Sequence, residues 1–446
     1  MGTIFSLQDL ARVYIIIERT EPDLREVANM NSLMKISKTT QRRFVLGRQG
    51  LWPGRRWSGL EGTALALNAV EALQLDPLNV AARSQDIALW GRVLDYRPEF
   101  LDQVIYGQCR FFDYGGGLFV YPIAELPYWR LHMQRRGEMP YRVEFAKTHA
   151  AAIEQVYAAI QEHGPLGNRD FAGNYRVNSY RGRKDTGVAL FHLWLLGELM
   201  ITRRQGFQRI YDLRERVAPP ELNYAAPVEE AEQFFAIKSF AFMGFMRERP
   251  WISSLGGDIQ RKISPAEGKA WLACLVEQGS VTPLLLEGSK ETWYTLSSEL
   301  PLLETLEAGQ VPGAWQPAGP TTLDEVTILA PLDIVSARGR AGFLFDFDYV
   351  WEVYKPVEQR RWGYYTVPIL YGDRLIGRLD PKLDRKTGTL FINGFWLEDY
   401  GPVNDPDFGL AVSKGLERFA EFLGAKVFDF SSVQSAELRS WLEKIF

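Results

Sequence analysis

The chain has 446 residues, which predicts two to four domains, and its 46% hydrophobic and 24% charged residues are ordinary for a globular protein. Two cysteines, Cys109 and Cys274, and four scattered histidines argue against a zinc site, an iron–sulfur cluster and a secreted disulfide scaffold. We therefore expect no metal and no cofactor. The net charge of −4 counts mildly against nucleic-acid binding, because small DNA-binding domains are usually basic.

Targeting and membrane signals are not evident in the sequence. The N-terminus lacks the basic and then apolar stretches of a secretory signal. The most apolar helical stretch, residues 188–200, contains His192 and Glu198, so it is interpreted as a core helix. A cytoplasmic location without membrane contact follows by elimination.

Residues 1–38 fit the rest of the chain poorly. Charges alternate through residues 9–12 and 18–25 without a sustained apolar face, and Met30 and Met34 follow shortly before a basic run. We expect a loosely ordered extension, which an upstream start codon would explain.

Residues 39–140 are predicted to form a first winged-helix-like module. Apolar residues recur at helical spacing through 60–73, with Ser58 as a candidate N-cap. A second helix is expected to follow, and a glycine triplet then precedes a predicted strand at 118–121.

Two later stretches repeat one design, predicted as a second winged helix over residues 141–220 and a third over 221–305. In each, a helix ends at a glycine, Gly197 or Gly279, and a strand, a glycine turn and a second strand follow. This order is typical of a helix-turn-helix unit with a β-hairpin wing. Its repetition strengthens the interpretation.

Residues 306–446 are predicted to hold a linker, a small β-barrel or twisted sheet, and a closing helix at 407–423. Proline and glycine crowd residues 301–320, which indicates the linker. The predicted strands lie at 327–329, 362–370, 374–379 and 389–395. The predicted fold class is therefore α+β, with tandem winged-helix modules followed by a C-terminal β-barrel.

Positive charge is concentrated in four clusters. Each cluster alone is more typical of a solvated surface, but four together favour contact with phosphates even on an acidic chain. The clusters are Arg42, Arg43, Arg48, Arg55 and Arg56; Arg176, Arg181, Arg183 and Lys184; Arg203, Arg204 and Arg209; and Lys355, Arg360 and Arg361.

The segment Gln74-Leu75-Asp76-Pro77 follows the first apolar helix. Pro77 favours an extended conformation at Asp76, and in an extended segment residues two apart point the same way. Gln74 and Asp76 would then share one face while Leu75 points into the core. An amide and a carboxylate are thereby aimed at one spot, although an Asp before Pro is usually a turn residue.

Residues 73–93, LQLDPLNVAARSQDIALWGRV, resemble the AlkZ/YcaQ family of winged-helix, crosslink-repair DNA glycosylases. That family carries a Gln–apolar–Gln or Gln–apolar–Asp motif, and Gln74-Leu75-Asp76 matches the second version, typical of the YcaQ branch. The resemblance covers about residues 39–430. The C-terminal residues that also follow the family pattern are Leu332-Asp333 and residues 345–349, 352–356, 360–365, 372–378 and 384–386.

The resemblance implies three tandem winged helices, a C-terminal β-barrel, and hydrolysis of the N-glycosidic bond of N7-alkylated guanine. Some members unhook interstrand crosslinks. One departure lies at residues 113–117, where many relatives have a Trp-x-His segment and this chain has Asp-Tyr-Gly-Gly-Gly. No histidine role is carried over to this chain.

The implied chemistry suits Gln74 and Asp76. Alkylation at N7 makes guanine a cation, so the leaving base needs no proton donor. Its departure leaves an oxocarbenium-like sugar, which the Asp76 carboxylate can stabilise while it activates a water that Gln74 orients. A bulky crosslink favours an open site over a tight base-flipping pocket.

The expected partner is double-stranded DNA with alkylated or crosslinked purines, bound by a monomer associated with the nucleoid. For Arg83 and Arg92, surface ion pairs remain an equal alternative to phosphate contacts. The residues expected to contact DNA are Arg42, Arg43, Arg83, Arg92, Lys184, Arg203, Arg204, Arg360 and Arg361.

A rival hypothesis is a winged-helix transcription regulator without catalytic activity. Tandem wings alone fit both hypotheses. The regulator predicts sequence-selective binding, often as a dimer on paired half-sites. Asp76 beside Gln74 favours the enzyme, since a regulator has no evident need for that pair.

Overall fold

The computed structural model describes residues 33–172, 184–398 and 401–446. In these ranges the chain forms an α+β fold in which a five-stranded sheet and four smaller sheets are combined with helices. No helix there is long and apolar enough to cross a membrane. Residues 1–32, most of the predicted loose extension, lie outside the described residues, as do Arg176, Arg181 and Arg183 of the second basic cluster.

The first described elements are a short strand and a buried helix. Strand β1 (Lys35–Ile36) pairs in parallel with a strand of the third unit, so the end of the predicted extension is part of a sheet. Helix α1 (Lys38–Arg48) begins after Ser37, whose hydroxyl caps the helix by accepting the Thr40 N–H.

The first unit places the Gln74–Asp76 segment beside a hairpin. Its three-stranded sheet has the order β3-β6-β5, and β2 pairs in parallel with β4. The predicted strand at 118–121 is confirmed as β6. The elements are β2 (Trp57–Ser58), α2 (Gly59–Val70), β3 (Leu73–Gln74), α3 (Ser84–Trp90), β4 (Val93–Leu94), α4 (Pro98–Asp102), β5 (Phe111–Tyr114) and β6 (Phe119–Pro122).

The second unit repeats this arrangement, with the sheet order β7-β9-β8. The predicted helix, strand, turn and strand after residue 184 are confirmed. The elements are α5 (Leu126–Gly137), α6 (Pro140–Thr148), α7 (Ala150–His163), β7 (Leu166–Gly167), α8 (Asp185–Leu195), β8 (Leu199–Gln205), β9 (Gln208–Leu213) and α9 (Arg214–Val217).

The third unit has the same strand order. Met246 pairs with Tyr294 on the second strand of the hairpin, just as β3 and β7 pair with the second strands of their hairpins, and β1 pairs with the first strand. The predicted helix before the hairpin begins with a capping box of Ser264 and Glu267. The elements are α10 (Val228–Met243), α11 (Glu248–Asp258), α12 (Pro265–Glu277), β10 (Val281–Leu286) and β11 (Thr292–Leu296).

The segment 301–320, predicted as a linker, contains a helix and buried side chains. Helix α13 (Leu300–Glu307) occupies its first part, and Leu303, Leu306 and Trp315 are buried in one core with α1. Proline near the start of a helix is favourable, because the first helical N–H groups lack partners in any case. The prolines here therefore begin a packed helix.

The C-terminal region contains the five-stranded sheet, in the order β12-β13-β14-β15-β16. Among the described residues no pairing joins β12 to β16, so the sheet curls without forming a closed ladder. The predicted closing helix is confirmed as α15. The elements are β12 (Thr327–Ile328), α14 (Arg340–Phe345), β13 (Val367–Tyr371), β14 (Arg374–Asp384), β15 (Thr389–Leu397), α15 (Pro406–Leu423), β16 (Val427–Asp429) and α16 (Ala436–Ile445).

Apolar burial joins the first unit to the C-terminal sheet. Side chains of α2 and α3, such as Leu67 and Leu89, belong to the same core as Ile369, Leu379 and Phe408 of the C-terminal region. The second and third units share a separate core. The Gln74–Asp76 segment therefore lies in a part of the first unit that the C-terminal sheet supports.

Candidate active site

The Gln74–Asp76 segment is extended because it continues the edge of a sheet. Leu73 and Gln74 pair with Val120 and Phe119 of β6, and the Leu75 N–H donates to the Leu118 carbonyl at 2.7 Å. Leu73 and Leu75 are buried in the core. The alternation of an extended chain then directs Gln74 and Asp76 away from that core face.

Gln74 is held at both ends of its amide group. Its Nε2 donates to the Gly117 carbonyl at 3.0 Å, and the Nη2 of Arg338 donates to its Oε1 at 2.6 Å. Gly117 belongs to the glycine triplet that precedes β6. No sequence signal links Arg338 to Gln74, because 264 residues separate them.

Asp76 is nearly buried, with 8% of its surface exposed. Its Oδ1 accepts the Leu78 N–H at 2.8 Å, and its own N–H donates to the Gln85 side chain at 2.9 Å. Burial raises the pKa of the Asp76 carboxyl, and the hydrogen bond from Leu78 opposes that rise. The carboxylate is thus fixed in position and takes up a proton more readily than a solvated aspartate.

The loop after Asp76 is held by the C-terminal sheet. The Tyr365 hydroxyl donates to the Ala82 carbonyl at 2.7 Å. Arg385, in the turn between β14 and β15, donates to the Asn79 side chain at 2.6 Å and to the Ala81 carbonyl at 2.7 Å. These contacts from the C-terminal sheet hold the backbone of residues 79–82, which follows Asp76 in the chain.

A small cleft lies beside Gln74. Its wall includes Phe119 and Arg338 together with residues from α3 and from the segment 332–334. Asp76 does not line this cleft, and among the described residues its carboxylate makes no hydrogen bond to Gln74. The cleft therefore gives access to the Gln74 amide, whereas the Asp76 carboxylate is not part of the cleft wall.

Three of the arginines predicted to contact DNA have side chains buried in ion pairs, which counts against a phosphate contact at these positions. Arg92 is 1% exposed and forms two hydrogen bonds with Asp333, at 2.7 and 2.9 Å. Arg204 pairs with buried Asp113 at 2.6 Å. Arg42 faces Asp373 at 3.7 Å. In each case the carboxylate that pairs with the guanidinium belongs to the protein itself.

Arg43, Arg83 and Lys184 are partly exposed. Arg43 shares Asp373 with Arg42, at 2.9 Å, and lies over the Trp52 ring. Arg83 precedes α3 and faces the Phe207 ring at 5.7 Å. Lys184 precedes α8 and donates weakly to a backbone carbonyl at 3.4 Å. Each keeps part of its cationic side chain at the surface.

Arg203, Arg360 and Arg361 remain accessible to a ligand. Arg203 is exposed on β8. Arg360 lies over the Tyr364 ring at 4.8 Å. Arg361 pairs with Asp348 at 3.1 Å, and both side chains are mostly exposed, so this pair is easily exchanged for a phosphate.

In the described ranges, no group of histidine, cysteine, aspartate and glutamate side chains could hold a metal ion.

The repeated helix-and-hairpin units and the amide–carboxylate segment are the features of a multi-unit α+β protein. Comparison with known proteins gives its family. A family model described as "DNA glycosylase AlkZ-like" matches residues 67–422, about four fifths of the chain. The chain belongs to the AlkZ-like DNA glycosylase family. DNA is the substrate that this family implies.

The fold is similar to that of a solved relative. The structure of the DNA glycosylase AlkZ from Streptomyces sahachiroi superposes with a TM-score of 0.58 at 15% sequence identity. The match covers 90% of this chain and 100% of that one. At this identity the likeness concerns the fold alone.

Proposed function

We propose that this protein is a DNA repair glycosylase that hydrolyses the N-glycosidic bond of N7-alkylated purines in duplex DNA. The observation that carries the proposal is the Asp76 carboxylate, fixed by the Leu78 N–H and raised in pKa, in an extended segment two residues from Gln74. Membership of the AlkZ-like family supports the reaction class.

The reaction follows from the charge of the lesion. An N7-alkylated purine is cationic, so the C1′–N9 bond breaks with its electron pair going to the base, which leaves as a neutral molecule. The sugar becomes an oxocarbenium-like cation, and the Asp76 carboxylate stabilises it electrostatically. Water then adds to C1′ and gives its proton to Asp76. No general acid is required, in contrast to ordinary glycoside hydrolysis.

Gln74 is suited to orient the water. Its Nε2 donates one hydrogen to Gly117, which leaves a second hydrogen, and its Oε1 accepts one bond from Arg338, which leaves a second lone pair. An amide held at both ends cannot rotate freely. A water bound to it is therefore presented in a constant direction, which lowers the entropic barrier to attack.

We also propose that the three helix-and-hairpin units are winged helices and that a monomer binds DNA across them. The shared strand order in the three sheets supports this interpretation. The cations that remain as DNA contacts are Arg43, Arg83, Lys184, Arg203, Arg360 and Arg361.

Base release from defined duplexes tests this function. One duplex carries 7-methylguanine, a second carries an N7-linked nitrogen-mustard crosslink, and the undamaged sequence is the control. We expect release from at least one damaged duplex and none from the control. A well-folded protein that releases no base, but binds one operator sequence tightly, would instead be the regulator of the rival hypothesis.

A further inference from the structure

We propose that Arg338 is a phosphate-binding residue at the Gln74 cleft, and that its ligand is a backbone phosphate of duplex DNA. It would hold Gln74 and the phosphate at the same time, thereby coupling DNA binding to the position of the amide. The proposal rests on the proposed function of Gln74, and it adds a site that the basic clusters of the sequence did not include.

The position of Arg338 is the first observation. Its Nη2 lies 2.6 Å from Oε1 of Gln74, and its guanidinium lies over the Phe119 ring at 5.5 Å from the ring centre. Both contacts line the same cleft. A cation over an aromatic face is attracted to it, so the guanidinium has a preferred place at the cleft wall.

The charge environment of Arg338 is the second observation. Neighbouring Arg92 forms its two bonds to Asp333, whereas no carboxylate among the described residues forms an ion pair with Arg338. Its partners are a neutral amide and an aromatic ring. Arg338 is exposed, so its positive charge lies at the cleft without a carboxylate partner among the described residues. The guanidinium of Arg338 is therefore available to pair with an anionic group of a ligand.

The shape of the group selects the anion. A guanidinium has five N–H donors in a planar fork, which matches phosphate oxygens. One donor is used by Gln74, and the others remain for a phosphate. Arg338 and Gly339 both have left-handed backbones, with φ of 55° and 80°. A non-glycine residue seldom adopts this conformation, and here it occurs at the residue that reaches the cleft.

The salt dependence of DNA binding tests the proposal. The affinity for a duplex with 7-methylguanine is measured over a series of salt concentrations in the Asp76→Asn background, which prevents turnover. Removing one phosphate contact with Arg338→Gln is expected to reduce the slope of log K against log salt by about 1. Arg338→Lys keeps the charge and is expected to retain the slope.

A second readout separates phosphate binding from positioning. With Asp76 intact, Arg338→Lys is expected to lower the single-turnover rate of base release about tenfold or more, because an ammonium cannot hold Gln74 and phosphate in the same fork. Arg439→Gln is the matched control, since this arginine lies on α16 and donates to the Ser431 carbonyl, which precedes that helix. It should change neither the slope nor the rate.

The outcomes are distinguishable. An unchanged salt slope in a folded Arg338→Gln variant would overturn the phosphate site, even if the protein proved to be an active glycosylase. A reduced slope in a protein that released no base would support the phosphate site and contradict the proposed function. A slope lost equally in Arg439→Gln would overturn the assignment to Arg338.

Discussion

The Asp76 carboxylate lies under two opposing influences, of which burial is the larger. Burial raises its pKa, and the Leu78 N–H lowers it. The ionised form is the one that stabilises the sugar cation and accepts a proton from water. A raised pKa therefore moves the loss of activity to a higher pH than that of an ordinary aspartate.

We accordingly expect the single-turnover rate to fall as the pH falls through the pKa of Asp76, with a midpoint above the value of about 3.9 usual for aspartate. The rate is measured from about pH 4 to about pH 8, and release without enzyme is subtracted because depurination is itself promoted by acid. A rate that stays constant or rises toward acid pH would contradict the role given to Asp76.

Arg92 is expected to matter for stability and not for DNA affinity. Arg92→Met leaves the buried Asp333 carboxylate without its partner, which should lower the free energy of unfolding by about 3–5 kcal/mol. Urea unfolding measures this loss. The double variant with Asp333→Leu removes the unpaired charge and should recover part of it. Weakened DNA binding by a fully stable Arg92→Met would restore Arg92 as a DNA contact.

Arg361, in contrast to Arg92, is expected to affect DNA affinity and not stability. Its ion pair with Asp348 is largely solvated, so Arg361→Ala should change the free energy of unfolding by less than about 1 kcal/mol. If Arg361 contacts a phosphate, the variant weakens binding equally for all duplex sequences. Titration of two unrelated duplexes checks this, and unchanged affinity for both would remove Arg361 from the interface.

Among the larger elements, the turn between β14 and β15 has the most direct bearing on the site. Through Arg385 it holds the backbone at Asn79 and Ala81, just after Asp76. The carboxylate therefore depends for its position on a sheet about 300 residues away in sequence. Misplacement of a reacting group by about 1 Å can cost about 100-fold in rate.

Arg385→Ala is expected to lower the single-turnover rate of base release about 10- to 100-fold, with little change in DNA affinity. Lys386→Ala in the same exposed turn is the matched control and should leave the rate unchanged. A parallel fall in rate and affinity for Arg385→Ala would mean that the turn binds DNA and does not merely support the loop.

The sequence predicted helices and strands better than it predicted which side chains pair with one another. The hairpins of the second and third units and the closing helix follow from local periodicity and glycine placement, and they are confirmed. Helix α13 was missed because proline was interpreted as a breaker in a segment where it starts a helix. Local signals sufficed wherever an element was defined by its own residues.

Pairings across the chain could not be predicted. Arg92 and Asp333 are 241 residues apart, and Gln74 and Arg338 are 264 apart. Composition shows that an arginine is present, but only the fold decides whether a carboxylate neutralises it. For this reason the basic segment at 42–56 resembled a DNA-binding surface, although Arg42 and Arg55 in it are buried in ion pairs.

At the scale of the whole molecule, one buried lysine joins the first and third units. Lys238 of α10 donates to Glu71 at 2.9 Å and to Glu125 at 2.5 Å, and it also bonds the Glu71 carbonyl. Glu71 ends α2, and Glu125 precedes α5. The two carboxylates share one ammonium group, so the contact secures the orientation of these units.

Lys238→Met is expected to lower the free energy of unfolding by about 3–5 kcal/mol, because two carboxylates lose their only ammonium partner among the described residues. Urea unfolding followed by tryptophan fluorescence measures it, and exposed Lys269→Met on α12 is the control. A loss no larger than that of the control would show that the units are held by apolar contacts alone.

The most direct measurement compares wild type with Asp76→Asn in single-turnover base release from the damaged duplex that wild type cleaves best. The substitution keeps the shape and removes the charge, so the expected result is loss of release, with unchanged circular dichroism and nearly unchanged DNA affinity. Release at the wild-type rate by a folded Asp76→Asn protein would contradict the assignment of Asp76 as the group that stabilises the sugar cation and activates water.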